Sequence, residues 1–228
     1  MALNKARTSV WVKALIIILI IAFISLFMYT GIAGIFDLFR PSTTETATSA
    51  DPVATINQKN QPIVDSLRAL ASSQPTSYTP AVNLANAYFD WAQQLSIPQT
   101  GQSQATSAAI TAAVGVWGEA RAAYDQASKL GKTFDPSVQT DRSIATFYSN
   151  DTTSAITIAR EVTTKQPTFA PAWLNLGLYY DATNNTALAI EAYKKYLVLD
   201  PKGSSSNISY ATSRIKALGG SVSTSTTP

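Results

Sequence analysis

A chain of 228 residues, 46% hydrophobic and only 14% charged, carries enough apolar surface for a sizeable core. It has no cysteine and no histidine, so a thiolate metal site, a cysteine nucleophile, a Ser-His-Asp triad and a lipidated cysteine are all excluded, and neither a cofactor nor a metal is expected. The net charge of +3 belongs to the N-terminal stretch ending at Arg40, where Lys5, Arg7, Lys13 and Arg40 outnumber Asp37; the neutral remainder lacks the clustered cations that nucleic-acid binding needs.

From Ala14 to Phe36 the chain carries no charge, "ALIIILIIAFISLFMYTGIAGIF". At about 1.5 Å per residue a helix of that length covers about 34 Å, enough for the hydrocarbon core of a bilayer. Apolar side chains on every face argue against a buried soluble helix. The run is longer than the apolar part of a cleaved signal and has no clear small-residue cleavage site, so a retained anchor is expected. Three cations precede it, and Asp37 and Arg40 cancel behind it. The positive-inside rule therefore places residues 1–13 in the cytoplasm and everything after Phe36 outside a bacterial cell membrane, as a single-pass protein. Residues 37–53, rich in Ser, Thr and Pro, read as a tether, and 219–228 as a disordered tail.

The folded part is expected between 54 and 218, and it is expected to be all-α. Ile56, Ile63, Leu67 and Leu70 recur at helical spacing and define a first helix ending before Pro75. "PAVNLANAYFDWAQQL" follows, with Leu84, Ala85 and Tyr88 on one face, and "EARAAYDQA" supplies Ala120, Tyr124 and Ala127 for a partner helix. Next come "SVQTDRSIATFYSN", with Ile144, Phe147 and Tyr148 as its apolar face, and "SAITIAREVTTKQP". The clearest pair is last: Trp173, Leu176, Gly177 and Tyr180, then Ala189, Tyr193 and Pro201, separated by the turn "DATNN". Trp173, Leu176 and Tyr180 share one helical face, and Gly177 lets the next helix approach closely. Ala189 and Pro201 have counterparts in Ala155 and Pro167, both the same interval upstream. A final helix at 204–218, with Ile208, Ala211, Ile215 and Leu218 on one side, would cap the stack.

This spacing, W-x2-L-G-x2-Y followed by A-x3-F (Tyr for Phe here) and P, resembles the tetratricopeptide repeat, whose period of about 34 residues matches that interval. The resemblance covers three repeats, about 77–135, 136–169 and 170–203. It is weaker in the second, where Arg142, Ser143 and Thr146 stand in the places of Leu, Gly and Tyr. In the first repeat Tyr88 and Ala120 stand much further apart than Tyr180 and Ala189 do in the last, so residues about 95–115 are inserted. "ATSAAITAAVGVWGEARAAYDQASKLG" reads as one long helix ending at Gly131. Its strip Ile110, Val114 and Trp117, with Trp91 opposite, either packs on a lengthened first helix or forms a docking surface for a membrane partner.

The resemblance implies a concave groove lined by the first helix of each repeat, which takes a protein or peptide partner. The residue before the repeat Leu points near that groove, which makes Asn83, Asp141 and Asn175 candidates, with Asn86 and Asp90 extending the stripe at i+3 and i+7 from Asn83. Asn side chains both donate and accept, as binding an extended backbone requires. Scattered carboxylates without histidine argue against an enzyme, and no small-molecule substrate is expected. The layout is similar to two anchored groups, the cytochrome c maturation factors and the ancillary translocon subunit. It implies a scaffold or chaperone outside the membrane; the alternative is a structural tether of a divisome, pilus or secretion complex with one fixed partner.

Overall fold

Local chemistry sets the helix boundaries. Asp51 accepts the Val53 amide at 3.0 Å with Pro52 in the first turn, and Asp135 accepts the amides of Ser137 and Val138 in front of Pro136. The computed structural model describes residues 51–98 and 104–222, and these are helical with no strand. In order the helices are α1 (Pro52–Ser73), α2 (Tyr78–Ser96), α3 (Ser107–Leu130), α4 (Pro136–Tyr148), α5 (Thr152–Lys165), α6 (Ala170–Ala182), α7 (Thr186–Leu199) and α8 (Ser205–Ala217). The expected membrane span at 14–36 lies outside the described residues; among those described, no helix is long and apolar enough to cross a membrane.

Helices α2/α3, α4/α5 and α6/α7 form antiparallel hairpins, with α1 against α2 and α8 against α7. The last two hairpins are built on one template. In the turn after α4, Ser149, Asn150 and Asp151 donate to the carbonyls of Ala145, Phe147 and Thr146; in the turn after α6, Thr183, Asn184 and Asn185 donate to Tyr179, Asp181 and Tyr180. Each residue of the first turn has its counterpart one repeat length further on. The middle residue is left-handed in both, Asn150 at φ 67° and Asn184 at φ 58°, and asparagine is the non-glycine residue that tolerates this conformation best.

Curvature follows from which helices touch. Helix α4 packs on both α2 and α6, whereas among the described residues α3 and α5, and α5 and α7, make no comparable approach. The first helices of the hairpins are therefore crowded and the second helices splayed. This makes α2, α4 and α6 the inner row of a curved stack.

The core runs between the rows. On α3 the buried stripe is Ala109, Ala113, Trp117, Ala120, Tyr124 and Ala127, where alanines let the α2 aromatics come close. The inserted residues that are described in helices, Leu95 and Ser96 in α2 and 107–115 in α3, thus lengthen the first hairpin. Of the four apolar residues expected to face inward on α1, Ile56 packs on the core and Leu67 is half-buried, but Ile63 and Leu70 are exposed, while Asn60 and Val64 are buried. The reason is a polar pairing across the helices, in which Asn60 and Gln94 exchange side-chain amide hydrogen bonds at 3.2 and 3.3 Å and Asn57 accepts from the Trp91 indole at 3.0 Å. Helix α4 is likewise lined by small polar residues. Ser143 and Thr146 are fully buried, Ser143 against the Tyr179 hydroxyl at 3.1 Å, whereas Tyr148 of its expected apolar face is 42% exposed.

Candidate partner-binding groove

The inner row places the five groove candidates on three successive helices, not all in the same condition. Asn83, Asn86 and Asp90 are exposed on α2. Asn86 accepts a hydrogen bond at 2.7 Å from the Tyr124 hydroxyl of α3, which fixes its amide and leaves its NH2 pointing outward as a donor. Asp141 on α4 is half-buried. It lies close enough to Asp90 of α2 and to Asp135, the residue that caps α4, for their charges to be felt, and Asp141 and Asp90 both act on Tyr124 of α3. Asn175 on α6 is half-buried and donates to the Pro171 carbonyl of its own helix at 3.0 Å, so one of its donors is already used.

Burial, reinforced by the repulsion of Asp135 and Asp90, pushes the Asp141 carboxyl up to about 6. Among the described residues no hydrogen bond or ion pair compensates it, and the neighbouring Arg142 turns away to Asp125 of α3 at 2.5 Å. The folded protein therefore holds this proton more tightly than the unfolded chain does. The resulting penalty is present above about pH 6 and relieved as pH falls toward 4. Asp141→Asn is expected to raise stability by about 1–2 kcal/mol at pH 7.5, discounted for the group's residual exposure, and to have no effect near pH 4. Thermal unfolding of both proteins across that range checks this; an Asn variant less stable at pH 7.5 would mean the carboxylate has a stabilising partner.

The tryptophans of the possible docking surface are not at the surface. Trp91 is 7% exposed and Trp117 3%, each with its indole N–H satisfied inside the fold, Trp117 by Ser96 Oγ at 3.1 Å. Trp117 also meets Phe89 edge-on at 4.9 Å and stacks on Tyr148 at 5.2 Å. Val114 is half-buried, and of the strip Ile110 alone faces solvent, at 52%. Trp117 is packing between α2, α3 and α4, with small alanines at 113 and 120 beside it on its own helix, while Ile110 stays in solvent.

Two aromatic residues of this face fall outside the groove candidates. Tyr148 at the end of α4 and Tyr210 on α8 are 42% and 39% exposed, and the Tyr148 phenol is pushed up by burial and by Tyr210. The ring of Tyr148 stacks on Trp117, and that of Tyr210 meets Tyr193 of α7 edge-on at 6.0 Å. Beside them Arg214 of α8 holds Asp181 of α6 through two bonds, 2.6 and 2.9 Å. An exposed aromatic at the end of a repeat helix is a signal that could have marked Tyr148 for the groove; Tyr210 lies in the capping helix, outside the repeat pattern.

These hairpins, joined by matching turns one repeat length apart, define a tetratricopeptide-like solenoid. Solved structures agree at the level of fold. A crystal structure of MamA superposes with a TM-score of 0.53 at 18% identity, covering 74% of this chain and 85% of that one. A second crystal structure of MamA gives 0.52 and 17%, covering 73% and 81%. The Sgt2 TPR domain from Aspergillus fumigatus, at 22% identity over 55% of this chain and 77% of that one, has a TM-score of 0.42. Neither a family model nor a curated protein matches the sequence.

Proposed function

We propose that the chain is a non-enzymatic scaffold or chaperone, held to a bacterial cell membrane by residues 14–36, that binds a protein or peptide partner on the inner face of its helical solenoid outside the cytoplasm. The observation carrying this reading is the inner row itself. Asn83, Asn86 and Asp90 on α2 and Asp141 on α4 present polar groups along a curved face that, among the described residues, no further helix covers, and the inner face is the concave one of such a stack. The charge-free run and the cations before it support the anchor and its orientation. Cytochrome c maturation and protein export are the settings to which the anchored layout is best suited.

Site-specific photocrosslinking in native membranes tests it. A crosslinker at Asn83 or Asn175 is expected to capture protein, and one at Glu119 on α3 or Glu191 on α7 is not. Several adducts from the inner positions would mark a chaperone, and a single adduct a tether with one fixed partner. Adducts only from the outer helices would overturn the assignment of the groove.

A further inference from the structure

Charge is sorted between the two rows of helices. The charged residues of α2, α4 and α6 are Asp90, Asp141, Arg142 and Asp181, while α3, α5 and α7 carry Arg121, Lys129, Arg160, Lys165, Lys194 and Lys195 beside Glu119, Asp125, Glu161 and Glu191. The one cation of the inner row, Arg142, is tied to Asp125 of the outer row, and Asp181 is neutralised by Arg214. Among the described residues, Asp90 and Asp141 have no cationic partner on the chain, although Asp141 is half-buried and Asp135 adds to the negative field around it. Leaving a carboxylate partly desolvated beside like charges is unfavourable, and a cation from outside would relieve it. At the end of α4 Tyr148 offers a part-exposed phenol ring, one face of it stacked on Trp117, and Tyr210 offers another on α8, outside the three inner helices, on a helix that also carries Lys216 and the Asp181-bound Arg214; ring faces attract cations as well.

We propose that the inner row is a docking face for an extended basic peptide segment, whose Lys or Arg side chains meet Asp90 and Asp141 and lie against the rings of Tyr148 and Tyr210. The proposal rests on the groove reading above and names the class of partner that groove takes. The backbone of such a segment meets the amide donors of Asn83 and Asn86 between the charged contacts. Bulk attraction does not account for the preference, since the chain after Arg40 carries no net charge. Selectivity for a cationic ligand must come from the local sorting of charge.

The test uses the full chain in detergent and fluorescein-labelled peptides of equal length, one alternating Lys with Ser and the other Glu with Ser, followed by fluorescence anisotropy. The Lys peptide is expected to bind more tightly than the Glu peptide by tenfold or more, and to weaken as salt is raised to about 0.5 M. The double variant Asp90→Asn with Asp141→Asn, in which each amide keeps the shape of its acid, is expected to lose about tenfold of that affinity. Tyr148→Leu with Tyr210→Leu is expected to lose about threefold to fivefold. Equal binding of the two peptides, or Lys-peptide binding unchanged in the asparagine double variant, would overturn the proposal. Either result is separable from failure of the groove, because the crosslinks from Asn83 and Asn175 report partner capture whatever the partner's charge.

Discussion

Trp117→Ala is expected to lower the stability of the folded unit by about 3–5 kcal/mol, the cost of removing a large buried aromatic from a well-packed site. Trp117 is 3% exposed and joins three helices: its indole N–H reaches Ser96 on α2, its ring meets Phe89 on α2 edge-on, and Tyr148 on α4 stacks against it. Small residues surround it on its own helix, Ala113 and Ala120 above and below, so little side chain is available to collapse into the space left behind. At about 2–4 °C per kcal/mol for a protein of this size, the midpoint should fall by roughly 10 °C. Ile110→Ala, at a site 52% exposed on the same helix, should stay within about 0.5 kcal/mol of the parent. Urea unfolding of the two variants separates the cases. Equal and small effects would mean that Trp117 is a surface residue, and the α2–α3–α4 core would have to be redrawn.

Gly177 is expected to be the least replaceable residue of the last repeat. A methyl group placed there would lie 2.6 Å from Cδ1 and 2.7 Å from Cε1 of Tyr193, well inside contact distance. The tyrosine cannot easily retreat, since it is fully buried, its hydroxyl donates to Asp181 at 3.4 Å and Tyr210 packs edge-on against its ring. Alanine is favoured over glycine inside a helix by about 1 kcal/mol, and overpacking costs about 1–3 kcal/mol. Gly177→Ala should therefore destabilise by up to about 2 kcal/mol in spite of its better propensity, and Gly177→Val by about 3 kcal/mol or more. Combining Gly177→Ala with Tyr193→Leu should recover at least about 1 kcal/mol of the sum of the single effects. Strict additivity in that cycle would show that the two residues do not meet.

The repeat was legible because its residues are chosen by local geometry. Trp173, Leu176, Gly177 and Tyr180 must fall on one helical face to pack against α5 and α7. The turns at Asn150 and Asn184 need a residue that tolerates positive φ, so both the period and the hairpin ends are written in adjacent residues. Two details were less legible. On α1, Ile63 and Leu70 would be assigned inward by hydrophobicity alone, yet they are exposed, because the Asn60–Gln94 pair and the Asn57–Trp91 bond decide which face meets α2. On α4, Ser143 and Thr146 stand at packing places of the repeat while Ile144, Phe147 and Tyr148 offer a competing apolar face, and the Tyr179 hydroxyl, supplied by the following repeat, helps hold the polar pair inside.

The groove divides in the same way. Its polar candidates Asn83, Asn86, Asp90, Asp141 and Asn175 follow from their place relative to the repeat leucine, a matter of spacing within one helix. Whether each is free, held or desolvated depends on what surrounds it: Tyr124 for Asn86, the absence of a nearby cation for Asp141 among the described residues, and the helix's own Pro171 carbonyl for Asn175. Trp91 and Trp117, apolar and on a lengthened hairpin, were consistent with core and with surface until α1 and α4 were laid against them. Periodicity within a chain determines which residues share a side of a helix, and so the helices, their hairpins and the length of the repeat. Which neighbour covers that side is a contact between residues far apart in sequence, and only the assembled stack, where burial and charge act across helices, decides it.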